Sequence, residues 1–142
     1  MLAANAFVFN THAQTVVEIR TNTTSGYNQG PITRATAAAT VDVARYAYIY
    51  RQAELQTLGI TPGAVITTLG FAKSNTTTST GTGSIFSIAL KTSTNQVFNQ
   101  TAVPWSTITA GSTLVYENNN QVITNAVYPV FHQFTFNTPF VY

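Results

Sequence analysis

Polar and apolar residues alternate along much of this chain, and the period of that alternation marks its elements. Between Arg45 and Arg51 the aromatics Tyr46, Tyr48 and Tyr50 take every second position, with Arg45, Ala47, Ile49 and Arg51 between them. A period of two predicts a strand. Ala53, Glu54, Leu55 and Gln56 are good helix formers, and Gly59 stands where a left-handed C-cap is wanted, so one short helical turn is predicted near residues 53–57. Pro62-Gly63 turns the chain, and Ala64–Phe71 returns as an apolar, β-branched strand.

The rest of the chain reads as strands and polar turns. Gln14–Thr21 predicts a strand with Val17 and Ile19 on one side. Asn22–Thr33, with Gly26, Gly30 and Pro31, predicts a loop. In Ala37–Ala44 the alanines admit a helical turn, and Val41 and Val43 tip the reading toward a strand. Asn75–Ser84 is low in complexity and polar, which predicts a mobile surface loop. Ser84–Thr92 places Phe86, Ile88 and Leu90 on one face and Ile85, Ser87, Ala89 and Lys91 on the other. Val97–Thr109 reads as irregular, with Pro104-Trp105 packed across a sheet edge. Thr113–Glu117 and Gln121–Thr124 flank Asn118-Asn119-Asn120 as a hairpin, and Phe131–Phe136 is the last clear strand, with Phe134 and Phe136 facing one way. Short antiparallel strands with polar turns predict an all-β fold, a β-sandwich of the jelly-roll or Ig-like kind. The expected core is Val17, Ile19, Leu55, Ile66, Phe71, Phe86, Ile88, Leu90, Val115, Phe134 and Phe136. Residues 14–142 form one domain in this reading, and 1–13 an N-terminal arm or the remnant of an export signal.

Four stretches carry a family resemblance: RYAYIYRQAELQTLGITPGAVITTLGF (Arg45–Phe71), FSIALKTSTNQVF (Phe86–Phe98), STLVYENNNQV (Ser112–Val122) and FHQFTFNTPFVY (Phe131–Tyr142). Their pattern resembles a β-sandwich module of secreted, multidomain surface proteins of Bacteroidota, over about residues 26–142. The resemblance implies the fold and an extracellular or cell-surface setting. It implies no active site.

Composition changes the picture in one respect. Charged residues make up 7% of the 142, against about a quarter in a typical soluble domain. Six basic and four acidic residues leave a net charge of +2, with no Lys/Arg cluster to attract nucleic acid or an anionic membrane. The chain has no cysteine, which excludes disulfides, thiolate metal sites and a cysteine nucleophile. No apolar run reaches the ~20 residues of a membrane helix.

Candidate chemistry is thin. The acids are Glu18, Asp42, Glu54 and Glu117 and the histidines His12 and His132, spread along the chain. Asp42, His132 and a serine make a triad on paper, but no G-x-S-x-G elbow accompanies them. Paired carboxylates for glycoside hydrolysis need two acids in one cleft, and calcium needs a loop of clustered oxygens; neither pattern is present. His132 reads as a structural histidine. Arg45 and Arg51 are expected to pair with acids or loop carbonyls. Tyr46, Tyr48, Tyr50 and Trp105 are the candidate ligand strip, for stacking on sugars, with packing in the core as the plainer alternative. Asn22, Asn75 and Asn99 each begin an N-x-T sequon. No cofactor is expected.

Two features suggest an assembly. In the resembling family a further apolar strand follows the one matching Phe131–Phe136, and this sequence ends at Tyr142 before it. The arm carries Phe7, Val8 and Phe9, with Phe7 and Phe9 on one face of an extended segment. An open edge and a spare strand predict strand addition between copies, with Phe7, Val8, Phe9, Phe134 and Phe136 at the subunit interface. The expected function is therefore a non-enzymatic subunit of an extracellular filament or surface assembly. The alternatives are a carbohydrate- or surface-binding adhesion module of a secreted protein, with surface glycans as partners, and a virion surface protein.

Overall fold

In a computed structural model the described residues are 15–17, 19, 32, 44–73, 79–80, 85–98, 102–127 and 130–142. Their elements are α1 (Gln52–Thr57), β1 (Val65–Ala72), β2 (Ser79–Thr80), β3 (Phe86–Leu90), α2 (Trp105–Thr109), β4 (Thr113–Asn118), β5 (Val122–Ile123) and β6 (Phe131–Val141). Strands dominate, and all pairing is antiparallel: β1 with β6, β2 with β5, β3 with β4. The arm with Phe7, Val8 and Phe9, the sequons at Asn22, Asn75 and Asn99, and most of 37–44 lie outside the described residues.

Local chemistry explains α1 and the turn after it. The Arg51 backbone N–H donates to Glu54 Oε2 at 3.1 Å, one half of a capping box; an arginine side chain has no acceptor to supply the other half. At the far end Gly59 takes φ +82°, its N–H donates to the Gln56 carbonyl, and the Ile60 N–H donates to the Leu55 carbonyl. These two bonds make a Schellman close, whose left-handed position at Gly59 favours glycine. Pro62 and Gly63 (φ +89°) then form a type II turn closed by Ala64 N–H to the Thr61 carbonyl, and β1 begins directly.

The core joins the two larger ladders through aromatic rings. Phe134 on β6 is 2% exposed and lies 6.0 Å from Phe71 on β1, 4.7 Å from Phe86 on β3 and 5.4 Å from Tyr116 on β4, ring to ring. Ile88, Val115, Ile123, Phe136 and Ile32 complete the buried cluster, and Ile66, Leu69, Leu90 and Phe140 pack against it. A backbone-to-side-chain hydrogen bond adds to the packing: the Glu117 N–H on β4 donates to Asn137 Oδ1 on β6 at 3.1 Å.

Both ladders carry irregularities that aim side chains inward. In β3–β4 the register steps from Ile88↔Tyr116 to Ala89↔Leu114, so Val115 has no partner across the ladder. Such a bulge turns two consecutive side chains to one side: Val115 is fully buried, and Tyr116 meets Phe86 and Phe134. In β1–β6 the pairs Ile66↔Phe140 and Thr68↔Thr135 leave Phe136–Pro139 opposite Thr67 alone. Pro139, which has no N–H to give, falls inside this irregularity, where a strand tolerates proline.

Several expectations are corrected. Arg45–Arg51 belongs to no strand among the described residues, because alternation marks an extended segment without naming its partner. Thr15–Val17 and Ile19 are likewise outside any strand, and Val17 and Ile19 are half-buried rather than core. Residues 79–80, placed in a polar loop, form β2 against β5. Consequently Asn118–Asn120 does not close a hairpin, since it links β4 to a strand of another ladder. No asparagine there is left-handed; the Asn120 N–H donates to Asn118 Oδ1 at 2.9 Å, so a side chain makes the turn. The segment expected to be irregular contains α2. There the Pro104 carbonyl accepts from the Thr107 and Ile108 N–H groups, and Lys91 Nζ donates to the Ala110 carbonyl at 3.0 Å, a cation at the helix C-terminus. The last strand runs to Val141, five residues past Phe136.

Candidate functional site

Four aromatics were singled out from sequence, and the structure gives two linked observations about them. Tyr48 and Tyr50 stand two apart on the extended segment before α1. Their rings stack on each other, with centroids 6.5 Å apart and 23° between planes. Tyr48 is 49% exposed, Tyr46 and Tyr50 half-buried. None of the three belongs to the buried cluster around Phe134.

Trp105 opens α2, half-buried, sixty positions on from Arg45. The Arg45 guanidinium carbon sits 5.6 Å from the centre of the Trp105 ring. A cation over an indole face contributes about 0.5–1 kcal/mol at an exposed site. This contact attaches the start of the tyrosine segment to α2.

Partial burial raises the Tyr48 phenol above its ordinary value, and the neighbouring phenols of Tyr50 and Tyr46 raise it further. Tyr48 is therefore fully protonated near neutral pH, available as a hydroxyl donor and acceptor. The charged neighbours Arg45 and Arg51 occupy the alternate positions of the segment.

The remaining candidates stand apart from one another. Phe134 and Phe136, expected at a subunit interface, are 2% and 8% exposed within the chain's own core. Glu54 Oε2 caps α1, and Glu117 Oε2 accepts from the Ser87 hydroxyl at 3.2 Å. His132 Nε2 donates to the Ala126 carbonyl at 3.0 Å. Asp42 and Glu18 lie outside the described residues. Among the described residues no group of three His, Asp or Glu is placed to hold a metal ion, and no helix is long and apolar enough to cross a membrane.

The Arg45–Trp105 contact was not legible in the sequence, since nothing local ties residue 45 to residue 105. The exposed apolar side chains Ile85 and Leu114 on the outward face of β3–β4 also escaped notice as a group. Alternation alone had marked Ile85 as outward. Compared with known proteins, the chain matches no family model, no curated protein and no solved structure.

Proposed function

We propose that this chain is a non-enzymatic structural subunit of an extracellular filament or surface assembly, completed by β-strand addition of its N-terminal arm to a neighbouring copy. One observation supports the reading. Among the described residues each ladder is two strands wide, and β1 and β3 each pair on one side only. Two-stranded ladders are marginal by themselves, and their outer edges are where a further strand is gained. In a β-sandwich completed this way, the arm carrying Phe7, Val8 and Phe9 is the added strand. The surface suits permanent neighbours, being weakly charged, with Val65 and Val141 facing each other across the end of the β1–β6 ladder, both more than half exposed.

Deletion of residues 1–13 tests the proposal by light scattering and electron microscopy. The expected product is a folded subunit that no longer polymerises. Filaments of normal length from the deleted chain would overturn strand addition. Substituting Glu54 or His132 by alanine is expected to change stability only; turnover on glycoside, ester or peptide substrates lost in one of these variants would overturn the non-enzymatic reading.

A second reading, an adhesion module for surface glycans, is favoured by Tyr48, an aromatic ring 49% exposed outside the core.

A further inference from the structure

We infer that the outward face of the β3–β4 ladder is a contact between two copies of this chain, related by a two-fold axis that crosses the strands at the Ala89–Leu114 pair. It uses a face and not an edge, so it is separate from strand addition.

Register builds the face. Ser87 stands opposite Glu117 and Ala89 opposite Leu114, and all four are exposed, while Ile88 and Val115 take the core side. The Ser87 hydroxyl donates to Glu117 Oε2 at 3.2 Å, which sets these two side chains on one side. Leu114 is 52% exposed, and Ile85, two residues before Ser87, is 65% exposed. Two residues after Ala89 the alternation reaches Lys91, also exposed.

Charge names the occupant. Six basic and four acidic residues serve the whole chain, yet this short face has an acid towards one end and a base at the other. Glu117 is level with residue 87 and Lys91 lies four residues on, so the apolar Ala89–Leu114 pair falls midway between them. A patch in that order is complementary to its own reverse, which is what an isologous contact requires. A second copy turned over about the axis across the strands sets Leu114 against Leu114. Glu117 of each copy then comes level with Lys91 of the other. An axis along the strands would bring Glu117 to Glu117 and Lys91 to Lys91. A partner of uniform charge would meet one of the two with its own sign.

Both charges keep capacity for a partner. An ammonium has three N–H donors, and among the described residues only the Thr107 and Ala110 carbonyls accept from Lys91, at 3.5 and 3.0 Å. Glu117 accepts through Oε2.

The area sets the strength. Strands of five and six residues give a face about 20 Å long and two strands wide, well short of the ~800 Å² per partner of a standard interface. The contact is weak in dilute solution and gains where copies are already held side by side. It is therefore read by trapping.

The chain has no cysteine, so single thiols can be introduced cleanly. Leu114→Cys and Val122→Cys, at side chains equally exposed at 52%, are compared in the full chain. Packed faces stand about 10 Å apart, so a bis-maleimide of that span is used instead of a disulfide. Leu114→Cys is expected to give crosslinked pairs on a denaturing gel several times faster than Val122→Cys. Adding Lys91→Glu should slow the crosslink about fivefold, two exposed ion pairs at about 0.5 kcal/mol each. Adding Glu117→Lys as well should restore it, although both residues have then lost their partners within the chain. Thermal melts check that each variant folds, and Ala89→Cys on the same pair stands in if Leu114→Cys does not. Equal rates at 114 and 122 would overturn the contact, and a charge exchange that restores nothing would overturn its two-fold pairing. Deleting residues 1–13 is expected to leave the crosslink unchanged, whatever becomes of polymerisation.

Discussion

The rings of Phe134 and Phe86 lie 4.7 Å apart although their strands, β6 and β3, share no ladder. Side-chain packing therefore joins the two larger ladders where backbone pairing does not. Phe134→Ala is expected to destabilise the chain by about 3–5 kcal/mol, since a 2% exposed ring leaves a cavity at the junction. Phe86 is half-buried, so its alanine variant should cost less. In a double-mutant cycle by urea denaturation the pair should show about 0.5–1.5 kcal/mol of coupling. A coupling of zero would mean that the ladders are held by something other than this contact.

Gly59→Ala isolates a backbone effect. A Cβ at this position meets nothing within 4 Å, yet φ is +82°. The cost, about 1 kcal/mol, should come from the left-handed conformation alone, and Gly59→Asn should cost less. Thermal melts of both variants give the order. Alanine tolerated without loss would refute the Schellman close of α1.

Asn137→Ala removes the acceptor for the Glu117 N–H, the hydrogen bond between β4 and β6. Water can replace it at this exposed place, so total stability should fall by no more than about 1 kcal/mol. Hydrogen exchange at the Glu117 amide should nevertheless accelerate. Unchanged exchange would show that the amide is protected by another group.

Tyr48 gives a pH signature. Its phenol is raised in the folded chain, so the folded state holds the proton more tightly than the unfolded state does. The stabilisation is fully present below the ordinary phenol value near 10 and is lost as pH climbs through the raised folded value. Wild type should therefore lose stability in that alkaline window more steeply than Tyr48→Phe. The ultraviolet phenolate band of wild type should also show one late-titrating tyrosine that is missing in the variant. Identical alkaline curves would refute the packing of Tyr48 against its neighbours.

Local rules made two short elements, α1 and β3, readable. Glu54, Leu55 and Gly59 carry the signals of α1 within eight residues, and Phe86, Ile88 and Leu90 alternate so cleanly that both faces of β3 follow from sequence. What escaped depends on distant partners. Trp105–Thr109 is rich in β-branched and polar residues, and its helix leans on the Pro104 carbonyl and on Lys91 from the end of β3. Ile32 is one apolar residue among polar ones, so no period betrays that it reaches the core. The strand was expected to end at Phe136, and the irregularity that admits Pro139 into β6 is a property of the pair, not of the segment. The strip was visible as a run of tyrosines. That Tyr48 and Tyr50 stand outside the core and are anchored through residue 105 was not.

The unmatched Val115 has a consequence for how the strands find each other. A ladder of threonines, asparagines and small apolar residues has few unique pairings, and sliding by one position costs little where both faces look alike. Val115 works as an index mark. In one alignment, the observed one, Val115 and Tyr116 both point to the side of Phe86, Ile88 and Leu90 while Leu114 stays opposite Ala89 on the other side. Slide the strands by a single step and either the valine or the tyrosine is turned out into water. The β3–β4 ladder thus carries its own guard against pairing out of step.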